Sequence, residues 1–197
     1  MTQTSTASLR QSIRQTIRQR RRALTAGQQT AFAMQARDTA LNFQPIAQAQ
    51  TLALFLSFDG ELDTTPLINA LWQMGKKVYL PVLHPFSAGN LLFLRYDEQT
   101  PLEMNRLKIM QPRLDVSQVL PLNQLDVLIT PLVAFDSHGQ RLGMGGGFYD
   151  RTLQNWQQHG VYPVGLAHDC QWVAQLPVEA WDIPLPAVIT PSRVWQV

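Results

Sequence analysis

The sequence predicts a single α/β domain with a mainly parallel sheet flanked by helices. Nearly continuous apolar runs at residues 51–58 and 125–132 read as strands buried on both faces. Segments of helical periodicity alternate with such runs. No internal repeat or linker divides the 197 residues, a length at which one domain buries about 70% of its unfolded surface.

Residues 1–7 are small and polar and read as a flexible terminus, leaving 8–197 as the domain. Over residues 8–24, Leu9, Ile13 and Ile17 recur every four positions and Leu24 extends the stripe. This predicts a helix with Ser8 as its N-cap. Arg10, Arg14 and Arg18 share that spacing, about 100° around the helix from the apolar stripe. A second helix is predicted over 26–42, ended by a bend at Gln44 and Pro45. The strand at 51–58 stops at Asp59 and Gly60, and Thr64, Thr65 and Pro66 open a helix reaching Met74. Residues 77–82 form a second strand, and 91–96 a third after a turn at His84 and Pro85. Residues 97–120 carry no readable pattern. The buried strand at 125–132 leads through a glycine-rich segment into a helix over 149–159. Short strands follow at 164–167 and 187–190, with an extended stretch at 181–186 between them.

Composition removes several classes. With 45% hydrophobic and 15% charged residues, the chain is not a disordered one. The run at 52–56 has only five consecutive apolar residues, far from the roughly 20 of a membrane span. A single cysteine, Cys170, leaves no internal disulfide or cysteine-pair zinc site and points to a reducing compartment, with the cytoplasm as the expected location.

The net charge of +2 conceals an asymmetry. Before Asp38 stand seven arginines and no acid; from Asp38 onward there are nine basic and fourteen acidic residues. Such an N-terminal segment suits a transit peptide, a nucleic-acid arm or a polyanion site, and composition does not choose among them. Like charges four residues apart on a helix repel, and no acid is interleaved to relieve them. A bound anion would.

Four glycines fall within 143–147 (GMGGG), between a buried strand and a helix. Clustered glycine lets a backbone turn sharply and approach phosphate oxygens. Neither GxxxxGK[ST] nor GxGxxG is matched, because Phe148 stands where the third glycine of the latter would be. Arg141 before the loop and Asp150 after it add charge of both signs, the acid being suited to Mg²⁺.

The string GQRLGMGGGFYDR at 139–151 closely resembles the signature of the 5-formyltetrahydrofolate cyclo-ligase family. RQSIR at 10–14, RRRALT at 20–25, FLSFDGE at 55–61, DVLITP at 126–131 and Trp181-Asp182 are similar in the same order. The resemblance implies a NagB/RpiA/CoA-transferase-like fold and an ATP- and Mg²⁺-dependent ligase. Its substrate is a small molecule, 5-formyltetrahydrofolate, which closes to the 5,10-methenyl form with release of ADP and phosphate. ATP phosphorylates the formyl oxygen, N10 attacks the activated carbon, and phosphate departs; positioning and charge neutralisation dominate such chemistry.

By the same resemblance Arg10 and Arg14 hold ATP phosphates, joined by Arg18. Arg141, Leu142, Gly143, Met144, Gly145, Gly146, Gly147, Phe148 and Tyr149 wrap the triphosphate, the loop from Met144 to Phe148 also facing the folate. Leu56 and Glu61 contact the folate, and Asp150 and Asp182 are associated with Mg²⁺. Arg14, Glu61, Arg141 and Tyr149 are the expected catalytic residues. For Glu61, hydrogen bonding to the pterin is favoured over general-base work, because the sequence shows no sign of a shifted pKa. Gly146 stands where many members have lysine and Phe148 where many have tyrosine; Arg141, Arg14 or Arg18 is expected to supply the missing charge. These departures keep a non-catalytic folate or nucleotide binder of the same fold as the alternative.

Other suggestive residues read as structural. Asp136-Ser137-His138 is a turn rather than a triad, and His168-Asp169-Cys170 a strand-end cluster rather than a nucleophile pair. Neither a nucleic-acid nor a membrane partner is expected, since residues 38–197 are net acidic and show no basic–aromatic patch. A monomer is expected, with a dimer left open.

Overall fold

The computed structural model describes residues 5–197. Helix α1 (Thr6–Arg22) is capped by Ser5, whose hydroxyl accepts the Ser8 N–H. The cap is therefore one turn earlier than the apolar stripe suggested, and Ser8 is the donor. Of the terminus expected at 1–7, residues 5–7 are the cap and the first turn of this helix, and 1–4 lie outside the described residues.

Helix α2 (Ala26–Asn42) opens with a capping box in which Thr25 and Gln28 satisfy each other's backbone N–H groups. Pro45 does not merely bend the chain. It occupies the first turn of a short helix, α3 (Gln44–Gln48).

Strand β1 spans only Thr51–Ala53, where 51–58 was expected. Its parallel neighbours β2 (Lys77–Leu83) and β7 (Val127–Thr130) pair with residues 51–53 alone. The apolar run continues as extended chain that leaves the ladder and enters a cavity wall. Helix α4 (Thr65–Gln73) returns the chain to β2.

Strand β3 (Leu91–Tyr96) runs antiparallel to β2. The unreadable stretch at 97–120 holds a hairpin of β4 (Leu102–Met104) and β5 (Met110–Pro112), then the edge strand β6 (Val119–Leu120). After β7 a small hairpin, β8 (Ala134–Phe135) and β9 (Arg141–Leu142), precedes the glycine loop. The helix expected over 149–159 is broken into α5 (Phe148–Leu153) and α6 (Trp156–His159). Between them Asn155 takes a left-handed φ of 58°, which asparagine tolerates better than most residues. Strands β10 (Tyr162–Leu166), β11 (Ala187–Ile189) and β12 (Val194–Gln196) complete the chain.

The sheet order is β12-β11-β10-β7-β1-β2-β3-β6, with five parallel strands at its centre and antiparallel edges. Side-chain alternation divides the core. Leu52, Val127, Ile129 and Val164 pack under α2, α3 and α4 on one face, while Ala53, Leu128, Phe135 and Val188 face Leu153 of α5 on the other. Helix α1 docks separately, placing Ile13 and Ile17 against Val133, Ala134, Leu142 and Leu176. That site lies beside the carboxyl ends of the parallel strands, where open α/β sheets hold ligands.

Gly139, in the β8–β9 turn, ties down the segment after Asp182. Its carbonyl accepts the Leu185 N–H at 2.8 Å, its φ is +74°, and an added Cβ would overlap the Leu185 carbonyl oxygen. Gly139→Ala is expected to destabilise the protein by more than about 1 kcal/mol, read as a lowered denaturation midpoint at unchanged m-value. An unchanged midpoint would show that this turn does not hold the segment.

Candidate active site

A cavity of about 650 Å³ opens between α1, the ends of β1 and β7, the β4–β5 hairpin and the glycine loop. Its volume suits a small organic ligand.

One wall is cationic. Arg10, largely buried, makes a two-point ion pair with Asp182, its Nη1 at 2.5 Å and its Nη2 at 3.0 Å from the two carboxylate oxygens. This hydrogen bonding with Asp182 raises the Arg10 pKa. Arg14, one turn on, donates from Nε to the Gly143 carbonyl at 2.8 Å. No hydrogen bond among the described residues engages its two Nη groups, and burial, then the charge of Arg10, lowers its pKa. Arg141, buried at the end of β9, donates from Nη2 to Asp150 at 2.6 Å, while its Nε is buried without a partner. The cavity therefore holds guanidinium charge that its own acids do not saturate.

The glycine loop lies between two of these groups. An added Cβ would lie 3.9 Å from Arg141 Nη1 at Gly143, and 3.9 Å from the Arg14 guanidinium at Gly145. Gly145 and Gly147 have φ values of +105° and +67°, conformations in which side chains are strained. At Gly146 a Cβ would meet the Phe148 ring at 2.7 Å. The two departures from the family pattern are thus one steric arrangement, in which the bare backbone at 146 makes room for the ring at 148.

A cation missed in the sequence sits beside them. Arg151 donates from Nη1 to the Gly146 carbonyl at 2.7 Å, and its guanidinium carbon lies 5.9 Å from the centre of the Phe148 ring. Its position three residues into a helix could have suggested a reach back over the loop. Arg18 is not among the residues lining the cavity; its Nε is bonded to Asp59 at 2.7 Å.

The cavity is also lined by Glu61, buried at the end of the chain that leaves β1, with Phe55, Leu56 and Phe58. Burial pushes the Glu61 carboxyl up to about 7, against the opposing charge of Arg21 and the Phe58 N–H. A proton is therefore exchangeable there near neutrality, a property the bare sequence did not reveal. Burial and then the Glu61 charge raise the pKa of the nearby Tyr149 hydroxyl. Asn105, Leu107, Ile109, Met110 and Gln111, from the stretch without readable pattern, also line the cavity. Trp181 stands on the rim, 63% exposed.

The two expected Mg²⁺ acids differ. Asp150 uses Oδ1 for Arg141 and the Ile183 N–H, and no hydrogen bond among the described residues engages Oδ2. Asp182 has both oxygens committed to Arg10, and Oδ2 also accepts the Glu179 N–H at 2.8 Å. No group of three or more acidic, histidine or cysteine side chains able to hold a metal occurs among the described residues. A Mg²⁺ bound through one carboxylate and substrate phosphates fits this donor set; an all-protein cage does not.

Among the described residues no helix is long and apolar enough to cross a membrane. A model of the 5-formyltetrahydrofolate cyclo-ligase family matches residues 6–191. The chain is 69% identical over 180 residues to the 5-formyltetrahydrofolate cyclo-ligase of Escherichia coli strain K12, covering 91% of this chain and 99% of that one. It is 57% identical to the Haemophilus influenzae cyclo-ligase, covering 89% and 94%. The solution structure of Aquifex aeolicus 5,10-methenyltetrahydrofolate synthetase superposes with a TM-score of 0.80 at 25% identity, covering 95% of this chain and 92% of that one.

The raised Glu61 pKa has a stability consequence. Between its ordinary value of 4.5 and about 7 the folded state binds more protons than the unfolded, so the Glu61 contribution falls as pH rises through that window. His168, buried and pushed down to about 4 by burial, acts with the opposite sign between that value and its ordinary 6.5. The test is therefore a difference. Glu61→Gln should gain stability relative to the parent as pH rises from 5 to 8 (roughly the span of this window). A pH-independent difference in denaturation midpoint would show that Glu61 is not shifted.

Proposed function

The chain belongs to the 5-formyltetrahydrofolate cyclo-ligase family of ligases, and on that premise we propose that it closes 5-formyltetrahydrofolate to 5,10-methenyltetrahydrofolate at the expense of ATP with Mg²⁺. One observation carries this reading: a single cavity is lined by unsaturated guanidinium charge, a glycine loop and a buried, protonatable carboxyl.

ATP with Mg²⁺ supplies the phosphoryl group that converts the formyl oxygen into a leaving group. Arg14 and Arg141 bind and orient the phosphates, with loop backbone from Gly143 to Gly147 close enough to follow them. Asp150 offers its free oxygen to the metal. Asp182 takes a different part from the one first expected, orienting Arg10 through the two-point ion pair. Arg18 is withdrawn from the phosphates by Asp59, and Arg151 shapes the loop at Gly146.

Glu61 contacts the pterin beside Leu56. Because it exchanges a proton near pH 7, it can donate a hydrogen bond when protonated and accept one when ionised. Tyr149, with its pKa raised, stays a neutral donor next to it. The departures at Gly146 and Phe148 do not favour a non-catalytic binder, since Arg14 and Arg141 retain charge for a phosphate.

Purified protein given 5-formyltetrahydrofolate, ATP and Mg²⁺ should develop the near-ultraviolet absorbance of the methenyl product. Without absorbance gain at high enzyme concentration the catalytic reading fails. Arg14→Ala should raise the KM for ATP by about ten- to a hundredfold, the size of a lost charged hydrogen bond, and Arg18→Ala should leave it nearly unchanged. Equal effects of the two would contradict the assignment of Arg14 to the phosphates.

A further inference from the structure

Glu61 reaches the cavity from a turn held in an uncommon way. The Glu61 N–H donates to the Phe58 carbonyl at 3.0 Å, and the Glu61 carboxylate accepts the Phe58 N–H at 3.2 Å. Between them Asp59 and Gly60 are both left-handed, with φ values of 54° and 75°. An Asp-Gly pair tolerates this conformation, but where the turn stands against the cavity is set from outside it.

Helix α1 supplies the restraint. Arg18 Nε and Arg21 Nη2 donate to Asp59 Oδ2 at 2.7 and 2.9 Å, and Arg22 Nε donates to Oδ1 at 2.5 Å. Arg21 Nε also donates to the Asp59 carbonyl at 2.8 Å. A Cβ at Gly60 would stand 3.3 Å from main-chain atoms of Arg21 and Arg22, so the turn rests directly on the helix. Burial works against the Asp59 charge, yet the three arginines outweigh it and bring its carboxyl to about 2.

Docking of α1 requires one of these bonds, because the fully buried Arg21 pairs with Asp59, and it does not require the other two. Ile17 and the partly buried Ile13 already pack α1 against the domain, and Arg10 pairs with Asp182. The side chains of Arg18 and Arg22 are 33% and 50% exposed, so water would solvate them without Asp59.

We propose that Asp59 is a positioning residue for Glu61: by gathering Arg18, Arg21 and Arg22 onto one carboxylate, it fixes the turn that presents Glu61 to the folate. The inference rests on the reading of Glu61 as a folate contact. The tie is made at the last turns of α1, beyond Arg14.

Steady-state kinetics of Asp59→Asn, Glu61→Gln and the double variant test it. Asparagine keeps the shape and the tolerance for positive φ while removing the charge. Asp59→Asn should raise the KM for 5-formyltetrahydrofolate about tenfold, the size of one misplaced hydrogen bond, and leave the KM for ATP within about twofold. Added to Glu61→Gln it should change the folate KM less than about twofold, because its target is already gone. If Asp59→Asn does not fold, Arg22→Gln removes one exposed bond to Asp59 and should give the same pattern at about two- to threefold.

An unchanged folate KM in Asp59→Asn, an equal rise in the Glu61→Gln background, or a rise in the ATP KM alone would overturn the proposal. Glu61→Gln with a normal folate KM overturns the reading of Glu61 and this inference with it. An impaired Glu61→Gln beside a normal Asp59→Asn overturns the inference alone.

Discussion

Six arginines on one helix without an acid among them are the constraint on which the rest of the molecule turns. Neighbouring guanidinium groups repel, and the helix has no internal means of relief. Relief comes from distant segments: Asp182 for Arg10, the Gly143 carbonyl for Arg14, and Asp59 for Arg18, Arg21 and Arg22. Gly143 lines the cavity, and Asp59 and Asp182 stand next in the chain to Phe58 and Trp181, which do so too. Holding the helix and shaping the site are therefore the same set of contacts.

That sharing explains how charge is distributed inside the cavity. Asp59 and Asp182 are consumed by arginines, so neither adds free negative charge where phosphate would lie. Asp150 is half consumed, by Arg141. Glu61 escapes an arginine partner, and burial then dominates, leaving its carboxyl near neutrality. The cavity thus combines guanidinium N–H donors with an exchangeable proton in a largely apolar surround.

Much of the fold was legible because its signals are local. The helix expected over 26–42 has those bounds in the structure, and the apolar runs at 77–82 and 125–132 hold strands of the sheet, the first throughout and the second over Val127–Thr130. The run at 51–58 misled because burial and strand pairing are different things. Phe55, Leu56 and Phe58 are apolar where they line a cavity, and they lie beyond the ladder. Residues 97–120 resisted because β4 and β5 are three-residue strands, too short for any period. The glycine loop and its arginines were visible through spacing and resemblance. The pairing of Asp182 with Arg10 was not, since the two stand 172 positions apart. Nor was the role of Arg151, which depends on where the Gly146 carbonyl points.

Hydrogen exchange with each ligand alone tests most directly whether the cavity is divided as described. ATP with Mg²⁺ should slow exchange in the glycine loop at 143–147 and along α1, and 5-formyltetrahydrofolate should slow it at 55–61 and 105–111. Protection of the same segments by both ligands, or a glycine loop indifferent to ATP, would contradict a nucleotide side built on the arginines of α1 and a folate side built on Glu61.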